Sequence, residues 1–574
     1  MILVFGGTTE GRKTVEVLEE SGSPYYYSTK TGEQELSLQN GQRLDGALDA
    51  EAMKAFIKAH DIRLIVDASH PFATQLHQTI LDVSAALQIP IIRYERIYPP
   101  RDPDLEWIED YSQMPTDIHT LLATTGVQSI SKLKYLEAKG IKVFYRILPR
   151  ESSIALAKKL GAQEDQLCFF EDGKTIDVEA DAILLKESGL SGGFQEKVEA
   201  AKTKGMRILV LKRPAINFKH SVNGPYGLRR AVEELLPEFY PLHSGLTTGT
   251  CATAAAVAAT IRLLKKEMPE EVPVILPDGE TIYVPVSYDE GYASCFKDAG
   301  DDPDVTNGIE VRAHVEFSDR FEITGGEGVG TITLPGFDYP PGSPAINKAP
   351  REMIRQNLAP FNKPLHVTIS VPNGAEIAKR TFNPRLGIEG GISIIGVSGI
   401  VKPFSEEAFI DSIRKCMTIA KASGSERVVI NSGGKSERFV KGLYPDLPAQ
   451  AFVEYGNYIG ETLKIAHELD IRQVTLGVML GKAVKLAAGH LDTHSRRATM
   501  DKVFVQQLLD EAQCDVDITP IALARELWDL LPEEKAEAFA QVIITHCATY
   551  CRPLLPNGFL TILLITDEGK VYQV

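Results

Sequence analysis

The chain has 574 residues, of which 44% are hydrophobic and 24% are charged, and its mean hydropathy is -0.08. This length exceeds what one hydrophobic core usually serves, so we expect at least two soluble globular domains. The formal net charge of -16 argues against nonspecific binding to nucleic acid, because such binding needs a basic face.

The cysteines and the apolar segments predict where the protein works. Seven cysteines scattered over this length do not form the disulfide framework of a secreted protein, and the opening MILVFGG is typical of a strand and turn rather than a signal peptide. No apolar stretch reaches the roughly 18 to 20 residues that a membrane span needs. We therefore predict a cytoplasmic protein without membrane contact. No metal is expected either, since His546, Cys547 and Cys551 lack a second ligand pair.

The first predicted elements are a strand, a glycine turn and a helix. An apolar run at 1–5 leads into Gly-Gly-Thr-Thr-Glu-Gly-Arg at 6–12 and then into a helical pattern. Such a unit is typical of phosphate-cradling turns, although the spacing is not the standard G-x-G-x-x-G. The next strand, 25–29, ends near Ser28 and Lys30, where a hydroxyl and an amine would suit a 2′-phosphate. The pattern therefore favours NADPH over NADH and leaves NADH open.

The segment Arg-Leu-Ile-Val-Asp at 63–67 predicts a buried parallel strand whose carboxyl end leads into Ala-Ser-His-Pro-Phe-Ala at 68–73. In open α/β sheets that edge is where ligands bind. Ser69 is therefore a candidate substrate contact. His70 could donate a proton or hold a substrate carboxylate, or it could be a loop histidine satisfied by the backbone.

The succession of strand, polar or glycine turn and helix begins again near residue 121. It predicts two α/β lobes with parallel, Rossmann-like sheets, at about 1–120 and 121–242, enclosing a cleft. Basic residues recur near the predicted strand ends, and any one of them alone would be an ordinary surface charge. Together they indicate a site for an acidic substrate, formed by Arg93, Arg146, Lys186 and Arg213.

Several motifs of this half belong together: GGTTEGR at 6–12, DASHPFA at 67–73, TTG at 124–126, KESG at 186–189 and KRP at 212–214. With them, residues 1–240 resemble precorrin-6A reductase. The resemblance implies hydride transfer from a nicotinamide cofactor to a corrin precursor rich in carboxylates, which the protein orients and desolvates. It places His70 near the substrate as the candidate catalytic residue. It assigns the cofactor to Gly6, Gly7, Thr8, Thr9, Gly11 and Arg12.

A polar joint after an acidic helix places the domain boundary near residue 242, and a second helix start follows it. In Gly-Leu-Thr-Thr-Gly-Thr at 245–250 three threonines can cap a helix, and the alanine-rich run behind them is a strong helix former. Such a start can present backbone N–H groups to an anionic ligand. The alternative is an ordinary capped helix packed closely against a sheet. The candidate ligand contacts are Thr247, Thr248, Gly249 and Thr250.

Further along, a hairpin is predicted around Pro-Asp-Gly at 277–279, and a glycine-rich turn at 325–330 should feed a strand rather than a helix. Between them, four aspartates fall within 298–304 without the spacing of a calcium loop. A capped turn beside a ligand is predicted there, with Asp298, Asp301 and Asp302 as acceptors. His490 and His494 would share a face if their segment were helical, and they are predicted to line a pocket or cap a helix rather than bind zinc.

The second half also carries long motifs, among them GLTTGTCATAAA, KDAGDDPDVTNG, GGEGVGTITLPG, NPRLGIEGGISIIGVSGIV and KLAAGHLDTHSR. Over residues 243–574 the chain resembles cobalt-precorrin-5B C1-methyltransferase. The resemblance implies S-adenosylmethionine as methyl donor, ring carbon 1 of a cobalt corrinoid precursor as acceptor, and a separate α+β fold. The family pattern often has histidine where Val478 stands, which puts a catalytic role there in doubt.

The two resemblances together imply consecutive steps of cobalamin synthesis. Asp298 is the candidate catalytic residue of the methyltransferase half, and Asp301 and Asp302 join the threonine turn as candidate cofactor contacts, with His490 and His494 as substrate contacts. Which of them touches the donor and which the corrin is left open. Fusion should raise the effective concentration of the intermediate. Two other hypotheses are a methyltransferase with a dinucleotide-sensing module and a tetrapyrrole-binding scaffold without catalysis.

Overall fold

The computed structural model describes residues 1–30, 34–169, 178–494 and 500–573. Contacts between residues divide the chain into two units. The first is Met1–Ser244 with Pro273–Tyr283, and the second is Gly245–Val272 with Val284–Val574.

The strands of the described residues run in chain order as follows: β1 (Ile2–Phe5), β2 (Tyr25–Thr29), β3 (Gly41–Asp45), β4 (Leu64–Asp67), β5 (Ile91–Tyr94), β6 (Glu106–Ile108), β7 (Thr120–Ala123), β8 (Lys142–Ile147), β9 (Leu167–Phe169), β10 (Ala182–Lys186), β11 (Arg207–Leu211), β12 (His220–Val222), β13 (Gly245–Leu246), β14 (Glu271–Ile275), β15 (Thr281–Pro285), β16 (Ser287–Asp289), β17 (Tyr292–Phe296), β18 (Glu310–Phe317), β19 (Glu322–Gly325), β20 (Thr331–Ile332), β21 (Leu365–Ser370), β22 (Ile388–Glu389), β23 (Ile400–Val401), β24 (Arg427–Asn431), β25 (Phe452–Glu454), β26 (Gln473–Met479), β27 (Phe559–Ile565) and β28 (Val571–Gln573).

The α-helices of the same residues are α1 (Thr9–Glu19), α2 (Ala50–Ala59), α3 (Thr74–Leu87), α4 (Ile130–Glu137), α5 (Glu151–Lys159), α6 (Phe194–Thr203), α7 (Pro225–Leu235), α8 (Thr248–Lys265), α9 (Lys348–Leu358), α10 (Gly374–Ala378), α11 (Glu406–Ala422), α12 (Gly434–Leu443), α13 (Ile459–Glu468), α14 (Leu480–Ala487), α15 (Lys502–Glu511), α16 (Leu527–Leu530) and α17 (Glu533–Cys551).

The first sheet has the strand order β3-β2-β1-β4-β5-β12, and every neighbouring pair is parallel. This is the doubly wound order of dinucleotide-binding folds, in which ligands bind where the strand order reverses. The reversal lies between β1 and β4. The apolar run of β1 is buried on both faces, as parallel strands covered by helices require. The predicted Rossmann-like lobe is confirmed.

The second sheet has the order β6-β11-β10-β7-β8-β9, again parallel throughout, and its order reverses between β7 and β10. The lobes do not divide at about residue 120. Instead β6 joins the second sheet beside β11, and β12 returns to the first sheet beside β5. Each of these short strands covers an edge that would otherwise expose unpaired backbone groups.

The second unit combines two kinds of sheet. In the first, β16-β17-β18-β21-β19, the neighbouring pairs are antiparallel except for the last, and α8 packs on β17 and β18. Small side chains allow this close approach, since residues 248–260 of α8 are all buried. The other sheet, β25-β24-β26-β27-β28, is parallel except for β28. The predicted α+β character of this half is confirmed.

The predicted hairpin is also present, as the two-stranded sheet of β14 and β15, with Gly279 at φ +88° in its turn. Within the ranges that the structure describes, no helix has both the length and the apolar character to cross a membrane.

Candidate functional site

The turn between β1 and α1 is open on one side. Thr8 caps the helix: its Oγ1 accepts from the Gly11 N–H at 3.0 Å and donates to the Ala68 carbonyl at 2.6 Å. Gly7 is exposed, has φ +88°, and has no heavy atom within 4 Å of a Cβ built on it. The N–H groups of Thr9 and Glu10 begin the helix and have no intrahelical acceptor. This turn can therefore receive an anionic group.

The other two glycines of the turn face the interior. A Cβ on Gly6 would lie 2.1 Å from the Tyr27 hydroxyl, and a Cβ on Gly11 would lie 2.5 Å from the same atom. Tyr27 also accepts a hydrogen bond from the Gly7 N–H at 3.0 Å. Gly6 and Gly11 are thus required by the packing of Tyr27, whereas Gly7 borders the open side.

The predicted cofactor residues around this turn differ in exposure. Arg12, Thr9 and Lys30 are exposed, whereas Ser28 is buried and its carbonyl accepts from the Gly6 N–H at 3.0 Å. Lys30 is therefore the cation at the end of β2 that a ligand can reach.

A buried ionic cluster supports the loop after β4. The carboxylate of Asp67 is 2.6 Å from Nδ1 of His77 and 3.0 Å from the Arg93 guanidinium, and it accepts from the Ser69 hydroxyl at 2.6 Å. Burial opposes ionisation of Asp67, but His77 and Arg93 outweigh it and hold its pKa below the usual value. Arg93 also pairs with Glu95 at 2.5 Å. In this structure the polar groups of Arg93 and Ser69 therefore interact with carboxylates of the protein.

His70 follows this cluster in sequence, and its ring is held in one neutral tautomer. Its Nδ1 accepts from the Phe72 N–H at 3.2 Å, and its carbonyl lies 3.1 Å from Nε2 of His77. Burial, followed by the positive charges of Arg96 and Lys186, lowers the pKa of His70 to about 3. The imidazole is therefore neutral near pH 7 and carries its hydrogen on Nε2. It can donate a hydrogen bond, but it cannot act there as the acid of a proton transfer.

The carboxyl ends of β4, β7 and β10 border one cleft of about 340 Å³ in the first unit. Its lining is strongly basic, as an acidic ligand requires. The residues that line it are His70, Arg96, Thr124, Thr125, Gly126, Lys186, Ser188, Gly192 and Lys197.

The basic residues predicted at strand ends do not all share this cleft. Lys186 lines it, with Nζ 4.9 Å from the centre of the Phe72 ring. Arg213 instead donates to Glu187 at 3.2 Å and stacks on Tyr98. Arg146 lies in β8 and is not among the residues lining the cleft.

The threonine-rich start of α8 is closed by protein. Thr247 caps the helix by accepting from the Thr250 N–H, and Thr250 donates to the Gly399 carbonyl at 2.5 Å. Thr248 accepts from the Ile395 N–H at 2.9 Å, and the Gly249 N–H donates to the Ile395 carbonyl at 2.9 Å. Thr248 is 3% exposed and Thr250 is fully buried. These contacts are those of the alternative stated from the sequence, a capped helix packed on its neighbours.

The aspartate-rich turn after β17 is organised around its own backbone. Asp298 accepts from the Gly300 N–H at 2.9 Å, and Asp302 accepts from the Phe404 N–H at 3.1 Å. Asp298 and Asp301 are exposed. The sequence did not single out Asp304, which forms an ion pair with the buried Lys297.

The remaining candidates are separate from these turns. His490 is exposed in the loop after α14, and His494 is the last described residue before 495–499. The pair is not on a helix, so the shared face does not form. Val478 is fully buried in β26, and His546 pairs with Glu511 at 2.8 Å. Within the described parts of the chain, no three His, Cys, Asp or Glu side chains are placed to hold a metal ion.

A second open turn, which the sequence interpretation did not identify, joins β24 to α12. Gly433 has φ +82°, and a Cβ on it would lie 2.3 Å from the Glu454 carboxylate at the end of β25. Gly434 has φ +53°, is exposed, and has no atom near a Cβ built on it. The sheet reverses its order between β24 and β26, so this turn lies where such sheets bind ligands.

Polar groups surround that turn. Glu454 has no hydrogen-bond or ion-pair partner among the described residues, and burial, followed by the charge of Glu437, raises its pKa. Burial lowers the pKa of Lys482, at the start of α14, to about 8. Glu437 is paired with Arg385 at 2.8 Å. The N–H groups of Ser432 and Gly433 donate to Ser436 and Asn431, so the turn offers the first N–H groups of α12 beside an unpaired carboxylate and a lysine.

Residues 1–232 match the family described as precorrin-6x reductase CbiJ/CobK, and residues 237–403 match the family CbiD. The cobalt-precorrin-5B C(1)-methyltransferase of Prosthecochloris aestuarii is 43% identical over 348 residues, covering 57% of this chain and 94% of that relative. The chain belongs to the cobalt-precorrin-5B C(1)-methyltransferase family.

Two solved structures are also similar to it. The cobalamin biosynthesis protein CbiD of Archaeoglobus fulgidus is 33% identical, with 45% of this chain and 83% of that chain covered and a TM-score of 0.27. CobK precorrin-6A reductase is 18% identical, with 41% and 96% covered and a TM-score of 0.34. The two family matches and the relative from Prosthecochloris aestuarii show that the protein is a bifunctional enzyme of cobalamin biosynthesis, with a reductase half and a methyltransferase half, as both resemblances predicted.

Each half contains functional candidates that sequence reasoning missed. In the reductase half, Glu10 lies in the first turn of α1 and pairs with Arg96 at 2.9 Å, and Arg96 donates to the Ser188 carbonyl at 2.8 Å. In the methyltransferase half, the signal was an apolar run at 428–430, two glycines, and an acidic residue about 20 positions further on, as in nucleotide-binding turns.

Proposed function

We propose that the methyltransferase half methylates cobalt-precorrin-5B at C1 to give cobalt-precorrin-6A, and that the reductase half reduces that product to cobalt-precorrin-6B. S-adenosylmethionine and NADPH are the cosubstrates. The observation that carries this proposal is the presence, one in each half, of an open glycine turn at the point where a parallel sheet reverses its order. A cytoplasmic location belongs to the proposal and is supported by the seven cysteines, all of which are free thiols.

In the reductase half, the dinucleotide lies along the turn of Gly6, Gly7, Thr8 and Thr9. The open N–H groups at the start of α1 would meet its phosphates, and exposed cations nearby in sequence are Arg12, Lys13 and Lys30. Bound there, the cofactor supplies a hydride. The neighbouring basic cleft would hold the carboxylates of the macrocycle, with His70 donating a hydrogen bond through Nε2.

In the methyltransferase half, we place the methyl donor at the turn of Gly433 and Gly434 rather than at the start of α8. The exposed N–H groups at the start of α12 would receive its carboxylate, and Glu454 would accept from its ribose hydroxyls. The start of α8 offers fewer donors to a ligand, because its N–H and hydroxyl groups already donate to carbonyl groups of the segment 393–399. The alternative site for the methyl donor is the one predicted from the sequence, formed by Thr247–Thr250, Asp298, Asp301 and Asp302.

One assay tests the function as a whole. The full chain receives cobalt-precorrin-5B, S-adenosylmethionine and NADPH, and the product mass and the nicotinamide absorbance are followed together. We expect the mass gain of one methyl group, followed by NADPH consumption. Methylation without NADPH consumption would favour a dinucleotide-sensing module, and corrinoid binding without either change would favour a scaffold.

Transfer of the intermediate between the halves is tested with full-length chains. Wild type is compared with an equimolar mixture of two variants, one impaired at Gly7 and one at Gly434, so that each chain performs one step. The wild type should be faster at low substrate because fusion raises the effective concentration of the intermediate. Equal rates would remove the advantage of fusion while leaving both activities in place.

A further inference from the structure

We propose that Lys186 is the acid that delivers the proton of the reduction, an inference that rests on the reductase activity proposed above. Reduction of a double bond by a hydride leaves the second atom of that bond in need of a proton. The cleft that adjoins the dinucleotide turn must therefore contain, or admit, a proton donor. The side chains of this cleft differ sharply in their ability to serve.

Three of the cleft's basic groups are already engaged by hydrogen bonds within the protein. His70 is a neutral imidazole whose Nδ1 is occupied by the Phe72 N–H. Arg96 is a guanidinium that does not deprotonate in proteins, and it is held by Glu10 at 2.9 Å. Lys197 donates to the Gly192 carbonyl at 3.0 Å. Each of these groups can orient a carboxylate, and each is already held in place by a hydrogen bond within the protein.

Lys186 has the required placement. It ends β10, on the side of the second sheet's order reversal that borders the cleft. Its Nζ has no acceptor among the described residues and instead lies over the Phe72 ring at 4.9 Å. The neighbouring carboxylate, Glu187, is taken by Arg101 and Arg213. The ammonium group is therefore not committed to a structural ion pair.

The charges around Lys186 favour release of its proton. Burial, followed by the positive charge of Lys132 on α4, lowers its pKa to about 8. From the cleft it faces Arg96, Lys197 and the neutral His70, none of which is an anion. It is thus protonated at pH 7 yet a better acid than an exposed lysine, as acid catalysis near neutral pH requires.

The step balances in atoms and electrons. As the hydride forms a new C–H bond at one atom of the double bond, the other atom takes a proton from Nζ of Lys186. That N–H bond breaks, its electron pair stays on nitrogen, and the neutral amine regains a proton from water. The overall change adds one hydride and one proton to the substrate.

The test uses the full chain with Lys186→Arg, which keeps the positive charge but cannot release a proton, and Lys158→Arg as an exposed control in the same unit. Loss of a general acid should lower the reductase kcat about 100-fold or more, with little change in KM or in NADPH affinity. In the wild type kcat should fall as the pH rises through about 8, and this fall should be absent in Lys186→Arg.

A readout without cofactor completes the test. Competitive acetylation of the unloaded protein across pH, read by mass spectrometry, should titrate Lys186 near its lowered pKa of about 8, with the exposed Lys158 followed in the same spectra as the reference. An unchanged kcat in Lys186→Arg, an effect on KM alone, or an ordinary pKa for Lys186 would overturn the inference. Absence of NADPH consumption by the wild type would instead refute the proposed reductase activity, and the inference with it.

Discussion

The helices that begin at Thr9 and at Thr248 start with the same local pattern but differ in what surrounds them. Both begin at the last residue of a Gly-x-Thr-Thr motif. In both, the first threonine caps the helix by accepting a hydrogen bond from the N–H three residues further on. At α1 the space beyond the cap is open, with Thr9 exposed. At α8 the segment 393–399 covers it and bonds to Thr247, Thr248 and Thr250.

This difference shows what a cap motif can predict. The capping hydrogen bond joins the threonine to an N–H only three residues further on, so the start of the helix can be predicted from the local sequence. Whether the start faces a ligand depends on a segment elsewhere in the chain, which the motif does not encode. An open start should tolerate polar changes and lose ligand affinity, whereas a covered start should lose stability.

The largest expected effect concerns the support of the open turn. Thr8 is tied to Ala68, which follows the buried Asp67. Replacing Asp67 by Asn leaves Arg93 and His77 without their shared anion, and should cost about 3–5 kcal/mol of unfolding free energy. Urea unfolding of the full chain measures it, with the exposed Glu51→Gln as the control.

The pH dependence of stability follows from the same carboxylate. Because the folded protein holds the pKa of Asp67 below its unfolded value, its contribution is present above the unfolded pKa of about 4 and is lost as the pH falls through the folded pKa. The wild type should therefore lose stability in acid more steeply than Asp67→Asn. Parallel curves would contradict this assignment.

The second effect concerns the glycines that pack on Tyr27. Gly6→Ala would bring a Cβ to 2.1 Å from the Tyr27 hydroxyl, and overpacking of this kind costs about 1–3 kcal/mol. We expect reduced stability together with weaker NADPH binding, measured by thermal unfolding and nucleotide fluorescence. Gly442→Ala, in α12 where a Cβ meets nothing, is the control and should lower neither, because alanine is a better helix former than glycine.

The third prediction contrasts the two helix starts directly. Thr248→Val removes a buried hydroxyl that bonds to residues 393 and 395, and should cost about 1–3 kcal/mol of stability. Thr9→Val changes an exposed side chain and should stay within about 0.5 kcal/mol. If Thr248→Val kept full stability but lost affinity for S-adenosylmethionine, the start of α8 would be the donor site after all.

The smallest effect is expected at Glu454. Glu454→Gln removes the charge that we place against the ribose hydroxyls of the methyl donor, and it should weaken donor binding roughly tenfold, about 1.4 kcal/mol. Calorimetric titration of the full chain with S-adenosylmethionine measures this. Glu461→Gln, on the exposed face of α13, should bind the donor as the wild type does, and equal affinity in both variants would refute the placement.

The sequence predicted those parts of the fold that depend on continuous patterns. The apolar runs of β1, β4 and β10 were assigned correctly, and so was the order of strand, turn and helix at the start of the chain, because strand burial and helix capping act over neighbouring residues. The helix α1 begins at Thr9, within the segment 6–12 that the sequence predicted as the turn. Strands of three residues such as β6 and β12 carry too little periodicity to be assigned to a sheet. His77 was missed because its partner Asp67 is ten residues away and on another element.

The hairpin at 273–283 bears on how this enzyme can be divided. By its contacts it belongs with residues 1–244, although most of the second unit surrounds it in sequence. The carboxylate of Glu280, in that hairpin, accepts from the N–H groups of Tyr226 and Gly227 at the start of α7. A gene cut at residue 242 would yield a reductase fragment whose last long helix has lost its cap, so a linear split of the reading frame does not reproduce the natural border between the two catalysts.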